Sequence, residues 1–458
     1  MPAIKDLLLI YPRLHYPSGD VPLGILYLAS SVRAKLGITP EILDLSFSKK
    51  PVEAVRAALR ESRFQWVGLS AMVTMAAAAR RMAEAVREMQ PEAKIILGGP
   101  HATTLPESCA QGPFDFLALG EAEETLPELI RKGGGEGVAG VWFRQDRGWT
   151  RNEPRPVIPE LDSIPFPAFD LIDLGQYKRL WFQLDTLGRP IAGTSVLATR
   201  GCPYRCSFCQ PTLDRLFGPR LRKRSPENIV SELALLKDRF QIDGFIFLDD
   251  TLIVDRKWTG ELARKMIAAR LGLVFGCNMR AELVDAEVLG LLKEAGLRKI
   301  YLGIESCSDR IREQVLDKKL SREQIESAVA AARKAGVKVQ GYFMIGAPGE
   351  TRQEVMSTLG YGRRLDLDDL TINITTPLPG TYLYQKYRGE ISLPEENFDY
   401  YRRYAFKERE LSEAWLRRKQ VLAYLAFYLR PGKIVRLAKS LLSPALFPHT
   451  LLKLKRVF

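Results

Sequence analysis

Cysteine is scarce, at six in 458 residues, and so few in a long chain do not make a disulfide scaffold. Long apolar runs are missing too. One of the longer ones, Val421 to Leu429, holds nine residues, where a spanning helix needs roughly 20. The N-terminal MPAIKDLLLIYPRL lacks a basic stretch, a long apolar stretch and a small-residue cleavage site, so no signal peptide is expected. No G-x-G-x-x-G stands between a strand and a helix, which disfavours a dinucleotide fold. No fixed-period solenoid repeat is present. Hydrophobic residues at 46% and charged residues at 26% are ordinary globular values and exclude wholesale disorder. The length suits two or three domains.

Basic charge is plentiful and unevenly placed. The chain carries a formal charge of +13, which would suit nucleic acid or an anionic membrane surface. Residues 402–458 hold 14 Lys and Arg against Glu408, Glu410 and Glu413, a net of +11, leaving only +2 for residues 1–401. The basicity is a property of the tail.

Along residues 1–148 apolar strand-like runs (6–11, 66–72, 94–97, 114–119) alternate with helical patterns (24–35, 52–61, 75–89). Such alternation predicts an α/β domain with a doubly wound parallel sheet. Residues 149–192 open with a proline-rich stretch and are expected as an extended linker. Over 193–400 a second series reads as strands at 195–198, 244–248, 274–279, 299–304, 338–344 and 370–375, with helices between. Six βα units suit a partial (β/α)6 barrel of the TIM type, whose chemistry sits at the carboxyl ends of the strands. Residues 401–458 are expected as a helical region.

Three of the six cysteines, Cys202, Cys206 and Cys209, stand in C-x3-C-x2-C directly after the first strand of the second series. Three thiolates on one short loop suit an iron–sulfur cluster. A structural zinc site is the alternative, but it usually requires a second C-x2-C or a histidine pair, and none follows. One iron of a [4Fe–4S] cluster would stay open to an outside ligand.

The loop resembles that of the radical S-adenosylmethionine (SAM) superfamily, with Phe208 matching the aromatic expected near the adenine. The resemblance implies that SAM chelates the open iron and is reductively cleaved to methionine and a 5′-deoxyadenosyl radical. It also assigns SAM contacts at later strand ends: Asp249 and Asp250, Glu305, and Gly346 of the GYFMIGAPGE segment. Strand-end carboxylates can accept from an ammonium and from ribose hydroxyls. Helix N-capping is the alternative for the two aspartates, and a buried salt bridge to an arginine for Glu305. Arg280 could be that arginine or could meet the SAM carboxylate. Cys307, after Glu305-Ser306, could donate a hydrogen atom or simply fill space.

In the first domain, Ser70-Ala71-Met72 and Gly98-Gly99-Pro100-His101 end consecutive strands, with Gly120-Glu121 ending the next. Glycines there let a ligand approach the backbone. These residues resemble the cobalamin-binding fold, with Ser70, Met72, Gly98, Gly99, His101, Gly120 and Glu121 toward the cofactor. The resemblance also places Arg13 and His15 of the first loop at the cofactor, although that loop lacks the Asp-x-His-x-x-Gly of corrinoid methyltransferases. Cobalamin is therefore expected without a histidine ligand from that loop.

Together the resemblances identify a cobalamin-binding radical SAM enzyme over about residues 5–400. They imply a C-methyltransferase that uses methylcobalamin on an unactivated carbon of a hydrophobic small molecule, lipid-like or tetrapyrrole-like. Cyclisation, rearrangement or carbon–carbon coupling is the alternative outcome, and nucleic-acid modification a more distant one. An electron donor of the flavodoxin or ferredoxin type is implied, in a reducing cytoplasm. The tail's aliphatic density argues against nucleic acid. Its basic amphipathic pattern suits peripheral association with the inner membrane face, and an ordinary helical cap on the barrel is the competing expectation.

Overall fold

The computed structural model describes residues 3–12, 19–146, 148–394, 397–407, 409–443 and 446–457. Arg13 and His15 lie outside the described residues. By contacts the chain divides into two compact units. One runs to Leu174, apart from Gly19 and Asp20, and includes Gln210–Arg222; the other holds those two residues, Gly175–Cys209 and everything from Lys223 onward. The stretch expected as a separate linker is thus divided at residue 174.

The first unit is a seven-stranded sheet in the order β2-β1-β3-β4-β5-β6-β7. Strands β1 (Ala3–Tyr11), β2 (Glu41–Asp44), β3 (Ser62–Ser70), β4 (Lys94–Gly98) and β5 (Phe116–Ala118) are parallel. Strands β6 (Val141–Gln145) and β7 (Gly148–Arg151) add an antiparallel hairpin at the far edge. The strands read as unbroken apolar runs because both faces are buried. Leu8 and Ile10 meet Val55, Leu59 and Val86 on one side. Leu7 and Leu9 meet Ile25, Ala29, Val32 and Leu129 on the other. Strand order reverses between β1 and β3, which places a ligand crevice at the carboxyl ends of the central strands.

The second unit contains six parallel strands in consecutive order: Gly193–Val196, Gly244–Phe247, Val274–Met279, Leu297–Glu305, Lys338–Ile345 and Asp369–Ile374. Helices Pro226–Phe240, Arg256–Ala269, Ala286–Glu294, Arg322–Ala335 and Arg352–Arg364 connect them. Each starts on a side-chain cap: Ser225, Asp255, Asp285, and the capping boxes Ser321/Gln324 and Thr351/Glu354. Such caps satisfy amide groups that the first helical turn leaves without partners.

Residues 175–192 are not a surface linker. Trp181, Leu184 and Ile191 are buried against Ile246, Val274 and Tyr301, near the amino ends of the barrel strands. A Cβ at Gly193 would lie 2.0 Å from the Trp181 ring, so glycine there is the space the indole occupies. Lys299 is buried in the same region, donating to the Gln183 carbonyl at 2.9 Å, with Asp185 and Asp369 each 4.0 Å away.

The sixth strand is the sheet's edge, and helix Glu413–Tyr428 covers it. The Ile372 N–H donates to the Tyr424 hydroxyl at 2.8 Å, and Gln420 Nε2 donates to the Ile372 carbonyl at 2.7 Å. Leu416, Gln420, Tyr424 and Phe427, spaced as one helical face, are the buried residues of that helix. An otherwise open edge is thereby closed.

Candidate active site

In the first unit, β3 ends at Ser70 and β4 at Gly98. Gly99 has φ +87, and a Cβ on it would sit 2.8 Å from Ser70 Oγ. Only glycine fits there. Thr103 Oγ1 accepts from the Gly120 N–H at 3.0 Å, tying this turn to the next strand end. Met72 is more than a third exposed. His101 is buried, its Nδ1 lacks a partner among the described residues, and burial pushes its imidazole down to about 4. A side-chain-free cradle beside a neutral histidine with an unused ring nitrogen fits the polar tail of a cobalamin.

Glu121 does not belong to that cradle's free surface. It forms a bidentate pair with Arg222 at 2.9 Å and accepts from the Ile158 N–H at 2.9 Å. Both carboxylate oxygens accept hydrogen bonds inside the first unit, which makes Glu121 a structural ion-pair partner of Arg222.

In the second unit the cysteine loop is pinned through Ser207. Its N–H donates to the Leu316 carbonyl and its hydroxyl to the Val315 carbonyl, both at 2.8 Å, and its own carbonyl accepts from the Leu383 N–H at 2.9 Å. Phe208 is half-buried against Ile311, Val315, Leu316 and Leu383. Burial pushes the Cys202 thiol up to about 11 and that of Cys209 higher still, the latter with help from Cys206. Ligation must therefore expel protons. Among the described residues no three His, Cys, Asp or Glu side chains converge as a single ion requires, whereas a cluster spreads three thiolates over three irons. Soft donors on one immobilised loop fit a [4Fe–4S] cluster.

Side chains alternate along a strand, and this alternation sorts the expected SAM contacts. Ile246 and Leu248 join the barrel's interior cluster, so Asp250 continues the inward row and Asp249 does not. Asp249 is fully buried. It accepts from the Ala198 N–H at 3.2 Å and from the Thr199 N–H and hydroxyl, lacing the second strand end to the loop after the first. Neither aspartate caps the following helix; Asp255 does. Asp250 remains open to solvent, yet surrounding protein pushes its carboxyl up to about 6.

Arg280 stacks 3.7 Å over the Tyr204 ring, donates to Cys206 Sγ at 3.4 Å and pairs with Glu282 at 2.5 Å. It is thus a brace between barrel and cysteine loop. Glu305 is buried in an ion pair, but with Lys318 at 2.8 Å rather than with an arginine. It adopts φ +63, a conformation costing roughly 1–2 kcal/mol for a residue with a Cβ. A Cβ at Gly303 would lie 2.5 Å from both Glu305 Oε1 and Lys318 Nζ, so that glycine admits the pair.

Gly346 has φ +79, and its N–H donates to Glu350 Oε2 at 2.6 Å, as does that of Ala347 at 2.9 Å. Glu350 Oε1 is buried without a partner among the described residues, and burial pushes this carboxyl up to about 8. Cys307 is buried, its N–H donating to Thr358 Oγ1 at 3.0 Å, with Arg322 and Tyr361 of the outer helices as its electrostatic neighbours. This setting is that of a packed thiol between strand and helix layer.

Lys318, Glu282, Thr199 and Arg222 were not anticipated. Lys318, Thr199 and Arg222 each act on a partner from a separate segment, with no local spacing to announce it, whereas Glu282 sits two residues from its partner Arg280.

An open parallel barrel bearing a three-thiol loop at its strand ends, together with a parallel sheet bearing a glycine cradle, defines a two-cofactor class of enzyme. A model of the radical SAM superfamily matches residues 196–361, and one of the B12 binding domain matches residues 19–130. The chain is 31% identical over 424 residues to an uncharacterized methyltransferase of Pyrococcus horikoshii, covering 91% of this chain and 89% of that one. It is 26% identical over 426 residues to the cytidylyl-2-hydroxyethylphosphonate methyltransferase of Streptomyces wedmorensis (81% and 78% covered). It is 25% identical over 405 residues to the anaerobic magnesium-protoporphyrin IX monomethyl ester cyclase of Rubrivivax gelatinosus (84% and 71%). The fold is similar to that of the radical SAM methyltransferase TsrM of Kitasatospora setae, with a TM-score of 0.68 at 19% identity over 86% of this chain and 76% of that one. The protein belongs to the cobalamin-binding radical SAM enzymes, whose cofactors are a [4Fe–4S] cluster, SAM and cobalamin.

Proposed function

We propose that this enzyme is a C-methyltransferase acting on an unactivated carbon of a small molecule with a hydrophobic body. When bound, the cluster and SAM supply a hydrogen-abstracting radical, and cobalamin supplies the methyl group. The chain's own residues prepare these sites. Cys202, Cys206 and Cys209 would hold the cluster, and Arg280 keeps the loop against the third strand end. Asp250, on the inward row beside it, would accept from the SAM ammonium. The Gly99 cradle and His101 would take the cobalamin tail.

The observation that carries the reading is the inward row at the barrel mouth. Asp250, Arg280 and Glu305 gather at adjacent strand ends around Cys206 and Cys209. Below them the partly accessible inward residues Leu248, Tyr342 and Met344 offer an apolar wall. Asn373 contributes a carbonyl oxygen with no partner among the described residues. Such a lining suits an apolar substrate with a hydrogen-bond donor.

Ring formation without methyl transfer is a second reading, favoured by the similarity to the cyclase. Anaerobically reconstituted enzyme, given methyl-labelled SAM, a reductant of the flavodoxin or ferredoxin type and a cellular lipid extract, should place label in an extractable product. Formation of 5′-deoxyadenosine with an unlabelled product of changed mass would replace methyl transfer by the second reading. Peripheral association of residues 402–458 with a membrane is part of the same proposal.

A further inference from the structure

Fourteen large apolar side chains stand exposed among the described residues, and nine of them lie between 422 and 451. The same region is free of acid: residues 414–458 contain ten Lys and Arg and no Asp or Glu. Surface apolar residues scattered singly are ordinary, but a contiguous group marks an interaction site.

The three helices of this region are each anchored on one side and apolar on the other. Helix Glu413–Tyr428 lays Leu416, Gln420, Tyr424 and Phe427 against the edge strand. Its opposite stripe, Leu422, Leu425 and Leu429, faces solvent at 46%, 38% and 59% exposure. Helix Pro431–Leu442 is held through Lys433, which donates to the Leu367 and Asp368 carbonyls at 2.5 and 3.1 Å. Val435 and Leu442 stand out at 56% and 83%. Helix Phe447–Val457 is anchored where His449 Nε2 donates to the Arg179 carbonyl at 2.7 Å, while Phe447 and Leu451 point outward.

We propose that these outward faces form one docking surface for an anionic lipid bilayer. Charge decides the occupant. Two copies of this chain would bring two acid-free basic faces together with no carboxylate to neutralise them, so self-association is opposed. A bilayer with anionic headgroups supplies the counter-charge to the lysines and arginines, and its acyl boundary receives the leucines. Among the described residues no helix is long and apolar enough to cross a membrane, and the proposed contact lies along the surface. The inner face of helix Glu413–Tyr428 meanwhile holds the barrel edge. Removing 402–458 would uncover that edge and confuse docking with folding, so exposed point changes are the proper probes.

The test is vesicle co-sedimentation of the reconstituted full-length protein, using phosphatidylcholine alone and an equal mixture with phosphatidylglycerol. Binding to the anionic vesicles should be at least about tenfold tighter and should weaken with salt. The double change Val435→Glu with Leu442→Glu should cut it by a further factor of about ten, with an unchanged unfolding temperature; Leu425→Glu with Leu429→Glu on the neighbouring helix is the second variant. Equal binding to both vesicles, or none, would overturn the proposal. So would anionic binding indifferent to both apolar double changes, a dimer that those changes dissociate, or RNA binding tighter than vesicle binding.

Discussion

The two candidate cofactor sites are built by opposite means. The first unit prepares its cradle by leaving side chains out: Gly99 stands where even a methyl group would strike Ser70. The barrel mouth is prepared by putting charge in and compensating it at once: Glu305 with Lys318, Arg280 with Glu282. Backbone that must be approached closely needs glycine, whereas charge that must be buried needs a partner already in place. The two sites should therefore fail differently when altered.

The largest effect is expected at the thiol loop. Cys206→Ala should lower reductive formation of 5′-deoxyadenosine by more than about a thousandfold, and iron and sulfide content should fall with it. The cradle should be unaffected in corrinoid content.

Breaking a buried charge pair should cost stability rather than chemistry alone. Lys318→Met leaves the Glu305 carboxylate buried without its cation, for a loss of about 3–5 kcal/mol in denaturant unfolding. Adding Glu305→Gln should restore a good part of it, since the stranded charge is then gone. In the barrel floor, Trp181→Ala should cost a similar 3–5 kcal/mol by leaving a cavity.

At the cradle the expected loss is in affinity. Gly99→Val meets both the positive φ and Ser70 Oγ, and should weaken corrinoid retention at least about tenfold while iron content stays at the wild-type level. Parity between the two sites, with Gly99→Val lowering iron as much as corrinoid, would mean that they are not built separately.

The last effect concerns pH. Burial raises the Glu350 carboxyl to about 8, so the native state holds a proton that the unfolded chain has already released. Stability should fall as pH climbs from the ordinary carboxylate range toward 8. Glu350→Gln should flatten that part of the profile, which a pH series of thermal unfolding curves would show.

Much of this architecture could be read from the residues. Barrel strands and helices were placed to within about two residues, because their apolar runs are long and their starts carry caps such as Ser225 and Thr351. The three cysteines and the Ser70 and Gly98-Gly99 strand ends are also local patterns. Strand β2 went unseen because four half-buried residues at a sheet edge show no alternation. The hairpin β6–β7 was missed for a similar reason, its exposed residues masking the strand pattern. Trp181 was lost among prolines and polar residues, although it fills the barrel floor. The destinations of Asp249, Glu121 and Glu305 depend on Thr199, Arg222 and Lys318, and pairings across such distances leave no trace in local spacing. The tail's first helix caps the barrel edge through Leu416, Gln420, Tyr424 and Phe427 and leaves Leu422 and Leu425 exposed on its opposite side.

The central claim is that one chain carries two separately built cofactor sites. It is tested most directly by anaerobic reconstitution of the wild type, Cys206→Ala and Gly99→Val, with iron, sulfide and corrinoid measured on each. The expected result is reciprocal: Cys206→Ala keeps corrinoid and loses the cluster, while Gly99→Val keeps the cluster and loses corrinoid. A wild type that binds neither, or a cluster retained in full by Cys206→Ala, would contradict it.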